Sequence, residues 1–289
     1  MASRWSASSS LSSTLLNYSR EEVVPSYRVV FPFEATFDPA PAQQFFLGHR
    51  MTTVWLSVAY VAAVFGGQRL MRSQKEFGLR GTLVAWNAAL AAFSILGTMR
   101  SLPELVHVVS NKGFGYSVCI PSFFEEDSVS GFWTTMFAIS KVPELLDTAF
   151  IVLRKRPLIF LHWYHHITVL MYTWYAVSCV IGPGRWFVTM NFIVHSVMYS
   201  YYALRARGIH TPKAVSMIIT TMQILQMAIG CVVNATAYKI RFVDGIEACR
   251  ISWNDILSSL LLYSSYLYLF ALFFRNSYFK KSNRGKKVE

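Results

Sequence analysis

The sequence predicts an all-α polytopic membrane protein with seven transmembrane helices. Hydrophobic residues make up 54% of the 289 residues and charged residues 15%, against about 25% charged in a typical soluble domain. The apolar residues lie in seven segments near the ~20 residues that a helix needs to cross a bilayer. The net charge of +12 lies mostly between and beyond these segments. This distribution favours basic loops at a membrane surface over a nucleic-acid-binding face.

The elements follow in order along the chain. Residues 1–50, Ser-rich at their start, are expected to form a mobile tail that leads to a membrane domain of residues 51–279. The third helix is the weakest of the seven because it contains Lys141, Glu144 and Asp147. Residues 280–289 form a basic tail. The predicted helices cover approximately residues 52–71, 81–99 (with an extension towards Pro103), 131–151, 158–180, 186–204, 214–236 and 254–275.

Positive charge sets the predicted orientation. Basic residues favour the cytosolic side of a membrane, and most of them lie in alternate loops and in the C-terminal tail. We therefore expect a cytosolic C-terminus and, with an odd number of helices, an N-terminus across the membrane. The basic residues that carry this argument are Arg69, Arg72, Lys75, Arg80, Arg154, Lys155, Arg156, Arg205, Arg207, Lys213, Arg275, Lys280, Lys281, Arg284, Lys286 and Lys287.

Three further signals fit this orientation. Asn17 begins a glycosylation sequon on the non-cytosolic side. Lys286 and Lys287 have the form of a dilysine retrieval signal of the endoplasmic reticulum, the alternative being a basic flank of the last helix. Cys119 and Cys249 lie in loops on the oxidising side, which predicts a disulfide between them, the alternative being two unpaired thiols.

Polar and ionisable side chains inside the predicted helices mark the candidate site, because such groups are costly in a membrane and point to function. At 1.5 Å per residue, they lie roughly 5–15 Å from the cytosolic ends of four antiparallel helices. One shared depth predicts a polar chamber that opens to the cytosol. The groups are Lys141, Glu144, Asp147 and Thr148 in the third helix, His162, His165 and His166 in the fourth, Asn191 and His195 in the fifth, and Thr220, Gln223 and Gln226 in the sixth.

Blander interpretations apply to some of these residues. Glu144 and Asp147 can serve as structural partners of Lys141. Amide and hydroxyl groups of the sixth helix, such as Gln223, can simply bond neighbouring helices. Three histidines within five residues at this depth are harder to explain by packing.

Metal binding is one chemistry open to the histidines. Membrane di-iron oxidoreductases use several histidine boxes, whereas this chain has seven histidines in all. Of these, His49, His107 and His210 fall at or outside the membrane edges. The four that remain are too few for two irons. A single metal, in a metal-dependent lipid oxidoreductase, stays the alternative to a site that needs no metal and no redox cofactor. A receptor or transporter without chemistry is a further alternative.

Acyl transfer is the other chemistry. A neutral imidazole attacks a thioester and forms an activated acyl-imidazole, while a second imidazole moves the proton. Tyr or Asn donors stabilise a developing oxyanion. Arg154, Lys155 and Arg156 stand at the chamber mouth, where the phosphates of a CoA carrier need positive charge, although the positive-inside rule explains them equally well.

Four motifs occur in order in the chain: Lys141-x-x-Glu144-x-x-Asp147-Thr148, His162-x-x-His165-His166, Asn191-x-x-x-His195-x-x-Met198-Tyr199-x-Tyr201-Tyr202 and Thr220-x-x-Gln223-x-x-Gln226. Over roughly residues 30–280, this series resembles the very-long-chain fatty acid elongases, 3-ketoacyl-CoA synthases of the endoplasmic reticulum. The resemblance implies an inverted barrel of six helices around an acyl tunnel, with the first helix outside.

The resemblance also implies an activity and roles for residues. The substrates are a long-chain acyl-CoA and malonyl-CoA, and the products are CO2, CoA and a 3-oxoacyl-CoA two carbons longer. His165 resembles the nucleophile, His195 its partner in transfer and malonyl decarboxylation, and His162 and His166 groups that line or orient the chamber. Residues that match the substrate and CoA path are Lys141, Arg154, Arg156, Asn191, Tyr201, Thr220 and Gln223.

Substrate preference and partners follow from the same resemblance. The sequence around His162 and the later Gly184-Arg185 pair is most similar to the branch that acts on saturated and monounsaturated chains of about twelve to eighteen carbons. Expected partners are membrane lipid, a second copy of the chain, and the ketoacyl-CoA reductase, dehydratase and enoyl reductase of the elongation cycle. No nucleic acid is expected.

Overall fold

The computed structural model describes residues 23–279, so the Asn17 sequon and the Lys286-Lys287 pair lie outside the described residues. Over this range the chain is helical without any β-strand, which confirms the all-α class. The helices are α1 Pro32–Ala35, α2 Pro39–Gly48, α3 Arg50–Met71, α4 Arg80–Cys119, α5 Ser122–Glu125, α6 Ser128–Ser140, α7 Leu146–Leu153, α8 Phe160–Cys179, α9 Gly184–Arg207, α10 Lys213–Tyr238 and α11 Trp253–Phe274.

Four helices of the described chain are long and apolar enough to cross a membrane. They are α3, α4, α10 and α11, the last two continued by π-helical turns to Val243 and Phe279. The third, fourth and fifth predicted spans also coincide with helix. However, the third predicted span is divided between two shorter helices, α6 and α7. The fourth and fifth correspond to α8 and α9, which carry the histidines and other polar residues. The structure therefore describes a membrane protein, and the count of seven spans stays a prediction.

Helix α4 is much longer than the predicted second span. It runs on through Pro103 to Cys119, with non-helical backbone at Gly113 (φ 82°). A positive φ is readily adopted by glycine, so the helix axis changes there. Tertiary contacts hold the added part, because Glu104 is buried in an ion pair with Arg185 of α9. The predicted end, near residue 99 with an extension towards Pro103, was too early for this reason.

The third predicted span is broken rather than continuous. Helix α6 ends at Ser140, a 3-10 turn covers Pro143–Leu145, and α7 begins at Leu146. Pro143 has no backbone N–H to donate, which favours an interruption of the helix at this point. The break brings the side chains of Lys141 and Glu144 together in the interior.

Residues 23–49 pack against the helices, which corrects the expectation of a mobile tail over this part of residues 1–50. Glu34 is fully buried and accepts hydrogen bonds from Arg100 Nε (2.8 Å) and Trp133 Nε1 (2.7 Å). Phe46 is also fully buried, with its ring against Trp174. The acidic Glu34 and the aromatic Phe46 thus fasten this stretch to the helices.

Antiparallel packing gives the molecule two distinct ends. At the first, Lys155 Nζ donates to the carbonyl oxygens of Arg72 and Gln74, and Arg80 Nε donates to that of Ala206. We call this the basic end. The second, which we call the disulfide end, is joined by a bond between Cys119 and Cys249.

Close backbone contacts complete the disulfide end. A Cβ on Gly182 would lie 2.5 Å from the backbone of Cys119, so a larger residue does not fit there without a shift. Arg185, 1% exposed, binds both carboxylate oxygens of Glu104 and the carbonyl oxygens of Ser117 and Ile120. Arg185 lies just before the predicted fifth span, outside the apolar segments, yet its guanidinium is enclosed by these acceptors.

Candidate active site

Most of the predicted site residues line one chamber of about 310 Å³ between α7, α8, α9, α10, the end of α11 and the turn that follows it. Facing residues of four helices meet there because the polar positions share one depth. The predicted residues in its lining are Glu144, Asp147, His162, His165, His166, Asn191, His195, Tyr201, Thr220, Gln223 and Gln226.

His162 is held by a short relay of hydroxyl groups. Its Nε2 lies 2.9 Å from Thr148 Oγ1, which in turn lies 2.6 Å from the hydroxyl of Tyr60. Thr148 comes from α7 and Tyr60 from α3, so two neighbouring helices fix this ring. His166 packs against it with ring centres 4.5 Å apart and is itself buried. These contacts favour orienting roles for both residues.

His165 is held differently. Its ring makes no hydrogen bond to any residue in the described range and lies over Tyr266 of α11, with ring centres 5.0 Å apart. The hydroxyl of Tyr266 bonds Thr168 at 2.5 Å and donates to the backbone carbonyl of His165 at 3.3 Å. Both ring nitrogens of His165 are therefore open to whatever enters the chamber.

A narrow apolar channel leads from His165 towards the disulfide end. Its volume is about 60 Å³, and it shares His165, Asn191, Gln226 and Met227 with the chamber. Buried aromatic and aliphatic side chains border its far end: Phe123, Phe124, Val180, Ile181 and Phe187. A polar chamber thus passes into an apolar channel at one histidine.

His195 belongs to a chain of buried polar contacts. Its Nε2 lies 3.2 Å from Asn191 Nδ2, and Asn191 Oδ1 accepts from Lys141 Nζ at 3.2 Å. The Lys141 ammonium also binds both oxygens of Glu144, at 2.8 and 3.1 Å. All four side chains are at most 8% exposed.

Three residues expected along the CoA path do not line the chamber. Lys141 lies behind it, because the helix break at Pro143 directs its ammonium to Glu144. Arg154 lines a separate, larger opening of about 710 Å³ at the basic end. Arg156 is exposed and lines neither of these spaces.

Asp147 lies where that larger opening meets the chamber. Its carboxylate accepts from Trp86 Nε1 at 2.6 Å and from the hydroxyl of Tyr199 at 2.7 Å. Asp147, His162, Tyr199 and Tyr202 line both spaces, so the chamber has a second approach from the basic end. Asp147 is bonded to aromatic donors, whereas Lys141, the partner considered in the blander interpretation, pairs with Glu144.

Several residues of the site carried no recognisable signal in the sequence. They are aromatic residues, Tyr60, Trp86, Tyr266 and Tyr278, from four different helical segments. Aromatic residues are so common in apolar helices that their positions alone give little signal. The helical face shared with the histidine layer would have pointed to Tyr266 once the packing of α8 against α11 was known.

A metal site would require several of these side chains to converge on one ion. Within residues 23–279, no group of three or more His, Cys, Asp or Glu side chains is arranged to hold a metal ion. His162 bonds Thr148 and His195 bonds Asn191, so their Nε2 atoms face polar partners of the protein. The arrangement suits proton and acyl transfer better than ligation.

Known proteins are similar to this chain over most of its length. The family model described as "ELO: GNS1/SUR4 family" matches residues 45–286. "Very long chain fatty acid elongase 6" of Drosophila melanogaster is 48% identical over 256 residues, 89% of this chain and 81% of that protein. "Putative fatty acid elongase 3" of Caenorhabditis elegans is 44% identical over 94% and 85% of the two chains, and the human "Very long chain fatty acid elongase 6" is 44% identical over 90% and 96%.

Proposed function

Because the chain belongs to the ELO (GNS1/SUR4) family, we propose that it is the condensing enzyme of a fatty acid elongation cycle, a 3-oxoacyl-CoA synthase. It joins a long-chain acyl-CoA to malonyl-CoA. The names of its relatives as fatty acid elongases support this proposal. Saturated and monounsaturated chains are the proposed substrates, on the branch resemblance of the sequence.

The observation that carries the proposal is the position of His165. Its ring stands where the polar chamber meets the apolar channel, and its nitrogens make no hydrogen bond to a residue of the described chain. An acyl-CoA with its hydrocarbon in the channel has its thioester at this ring. Apolar burial of the hydrocarbon, about 0.8 kcal/mol per CH2, then supplies the binding energy.

The first step is transfer of the acyl group to His165. The imidazole lone pair attacks the thioester carbonyl, the C–S bond breaks, and the electron pair leaves with the sulfur. The proton displaced from the imidazole passes to the thiolate, giving free CoA and a neutral acyl-imidazole. His166 lies beside this ring and His162 beside His166, so that the two can orient the nucleophile and relay the proton.

The second step is decarboxylation and condensation. Malonyl-CoA loses CO2, and the electrons of the broken C–C bond form the enolate of its thioester. The enolate carbon attacks the acyl carbonyl on His165, the C–N bond breaks, and the imidazole regains a proton. The sum is acyl-CoA, malonyl-CoA and one proton giving 3-oxoacyl-CoA, CO2 and CoA, with no cofactor of the protein's own.

Positive charge at the basic end supports binding of the CoA phosphates. Arg80, Arg154 and Arg205 border the opening of about 710 Å³ that joins the chamber at Asp147. Arg154 and Arg205 form no ion pair with a carboxylate of the described residues. Guanidinium groups bind phosphate bidentately, so free arginines at this place suit a phosphorylated carrier.

For the membrane arrangement we propose seven spans, six of them around the chamber in an inverted barrel and α3 outside. The N-terminus is then lumenal and the C-terminus cytosolic, in the endoplasmic reticulum. The disulfide between Cys119 and Cys249 supports an oxidising compartment at that end, since such bonds persist there. The reductases and dehydratase of the cycle are proposed partners at the opposite face.

The proposal is tested by intact-mass spectrometry of the purified protein after incubation with palmitoyl-CoA alone. We expect a mass increase of one acyl group, removed when malonyl-CoA is added, with 3-oxoacyl-CoA released. The His165→Ala variant, lacking the nucleophile, should show neither event while keeping the elution profile of the folded protein.

Other outcomes would decide against the proposal. Wild-type protein that consumes no malonyl-CoA contradicts it, as does full activity of His165→Ala. Stoichiometric iron or zinc in active protein would favour the oxidoreductase alternative instead.

A further inference from the structure

The Lys141 ammonium has all three of its N–H donors committed. Two contacts go to the oxygens of Glu144 and the third to Asn191 Oδ1, at 2.8, 3.1 and 3.2 Å. Ser140 also donates to Glu144 at 2.8 Å, and the ammonium lies 4.0 Å from the ring centre of Phe137. A lysine has donors and no acceptor, so every partner of its nitrogen must be an acceptor.

This requirement fixes the orientation of the Asn191 amide. The atom that faces Lys141 must be the carbonyl oxygen, because the amide nitrogen would place donor against donor. The amide nitrogen then necessarily faces the other way. There it lies 3.2 Å from His195 Nε2.

The orientation of Asn191 in turn fixes the proton of His195. An amide nitrogen is a donor only, so His195 Nε2 accepts and carries no hydrogen. A neutral imidazole bears its proton on the other nitrogen, here Nδ1. No residue of the described chain bonds Nδ1, and His195 lines the chamber. Nδ1–H is thus the group that His195 offers to a bound ligand.

We propose that Lys141 and Asn191 are positioning residues that hold His195 as a hydrogen-bond donor to the malonyl thioester. The proposal rests on the condensing function proposed above. During decarboxylation the electron pair of the breaking C–C bond moves onto the thioester oxygen. The Nδ1–H of His195 stabilises this oxygen by a hydrogen bond and transfers no proton in that step. A neutral imidazole serves this purpose well because it keeps its hydrogen in place.

The buried ion pair explains why a lysine performs this task. An asparagine beside a hydroxyl group can flip, since a hydroxyl both donates and accepts. A lysine paired with Glu144 cannot reverse its polarity. Lys141 and Glu144 lie at the break between α6 and α7. The break therefore places the ion pair that fixes the Asn191 amide.

The Asn191→Asp variant tests the proposal, because it replaces the amide donor with an oxygen of the same size. His195 must then carry its proton on Nε2 to bond the new carboxylate, and Nδ1 loses its hydrogen. We expect normal acylation of His165 by palmitoyl-CoA, seen by intact mass. Release of the acyl group by malonyl-CoA should slow on the order of 100-fold, the effect of losing one oxyanion donor.

A matched control and a second variant accompany it. Asn234→Asp buries the same charge in α10, where Asn234 bonds Gly230 and Ser259 outside the chamber, and it should keep both half-reactions. Lys141→Met combined with Glu144→Gln removes the fixed donor without leaving an unpaired charge. It should slow malonyl-dependent release and spare acylation, which keeps the proposal testable where Asn191→Asp does not fold.

NMR of protein labelled with 15N-histidine measures the tautomer of His195 directly. A purely structural role of Asn191 and Lys141 would leave this tautomer unchanged. The His195 signals, identified by their loss in His195→Gln, should show a proton on Nδ1 in the wild type and on Nε2 in Asn191→Asp. The opposite tautomer in the wild type, or release at the wild-type rate in the variant, would overturn the inference. If the wild type itself forms no acyl-enzyme, the proposed function fails instead.

Discussion

The four histidines of the chamber differ in what holds their rings. Hydroxyl groups anchor His162, an amide anchors His195, and close packing surrounds His166, whereas His165 has Tyr266 beneath it and free nitrogens. A nucleophile needs a free lone pair, and a supporting imidazole needs a defined tautomer. Spacing along α8 places His162, His165 and His166 largely on one face but does not rank them. The ranking comes from their partners on other helices.

Glu34 lies outside the chamber, and its hydrogen-bond partners determine the pKa of its carboxyl. Burial would raise the pKa of its carboxyl, but hydrogen bonds from Arg100, the Phe31 N–H and Trp133 outweigh burial and lower it. The folded protein therefore binds fewer protons here than the unfolded chain. Stability from this group is complete above the usual glutamate pKa of about 4.3 and is lost as the pH falls through the lowered value.

The Glu34→Gln variant should unfold at a lower temperature than the wild type at pH 7, by a free energy on the order of 2 kcal/mol. The gap should narrow as the pH falls below about 4, because the wild-type carboxylate then takes up its proton. Tryptophan fluorescence during heating in detergent measures both quantities. A gap that stays constant from about pH 7 to about pH 3.5 would show that the carboxylate's charge is not what stabilises this segment.

At the scale of elements, the helices were predictable where an apolar run alone determines them. Helices α3 and α10 begin and end within about two residues of the predicted spans. The extension of α4 was not predictable, because it depends on Arg185 meeting Glu104, 81 residues away along the chain. The Lys141–Glu144 pair was visible in the sequence as a possible contact, but the break of the helix at Pro143 that accompanies it was not predicted.

Much of the candidate site was also predictable, because regular helix geometry determines the depth of its residues. Helix rise alone placed the histidines and amides in one layer, and the chamber contains them. The same arithmetic gave no place for Trp86 or Tyr60, whose contribution is a single hydrogen bond from a neighbouring helix. It also misjudged Lys141, since depth does not tell which way a side chain turns at a helix break.

The channel along α8 predicts a determinant of chain length. Ala176 lines it eleven residues beyond His165, about 16 Å further along the helix. Ala176→Phe should fill the channel at that depth, so short acyl-CoAs still acylate His165 and long ones no longer do. Intact-mass competition among saturated acyl-CoAs of increasing length measures the longest chain accepted.

A control separates this effect from general damage to the protein. Ala89 of α4 is exposed, so Ala89→Phe adds the same side chain away from the channel and should keep the wild-type preference. Loss of acylation at every length in Ala176→Phe would contradict a length limit, as would an unchanged preference in a variant that still reacts.

At the scale of the whole molecule, charge and covalent chemistry separate the two ends. Arginines and lysines gather at the basic end, while the disulfide and the buried Arg185–Glu104 pair lie at the other. Basic residues favour the cytosol and disulfides an oxidising compartment, so two independent arguments support the same proposed orientation.

Cysteine accessibility in sealed microsomes tests that orientation. Ser73→Cys lies at the basic end and Asn254→Cys near the disulfide end, and both positions are exposed. A membrane-impermeant maleimide should label Ser73→Cys in intact vesicles and Asn254→Cys only after permeabilisation. The reverse pattern would invert the proposed topology, and wild-type protein gives the background from Cys179 and Cys231.

The packed end of the apolar channel also determines how a bound hydrocarbon chain leaves the protein. Buried Phe123, Phe124, Val180 and Ile181 border it, and the packed disulfide end lies behind them. A hydrocarbon chain in a channel that ends at these side chains leaves through the opening by which it entered, with its methyl terminus last. In the proposed condensation, every lengthened product must therefore withdraw completely before another round. Growth then proceeds by one turnover per binding event, and each product is released from the site before it reacts further.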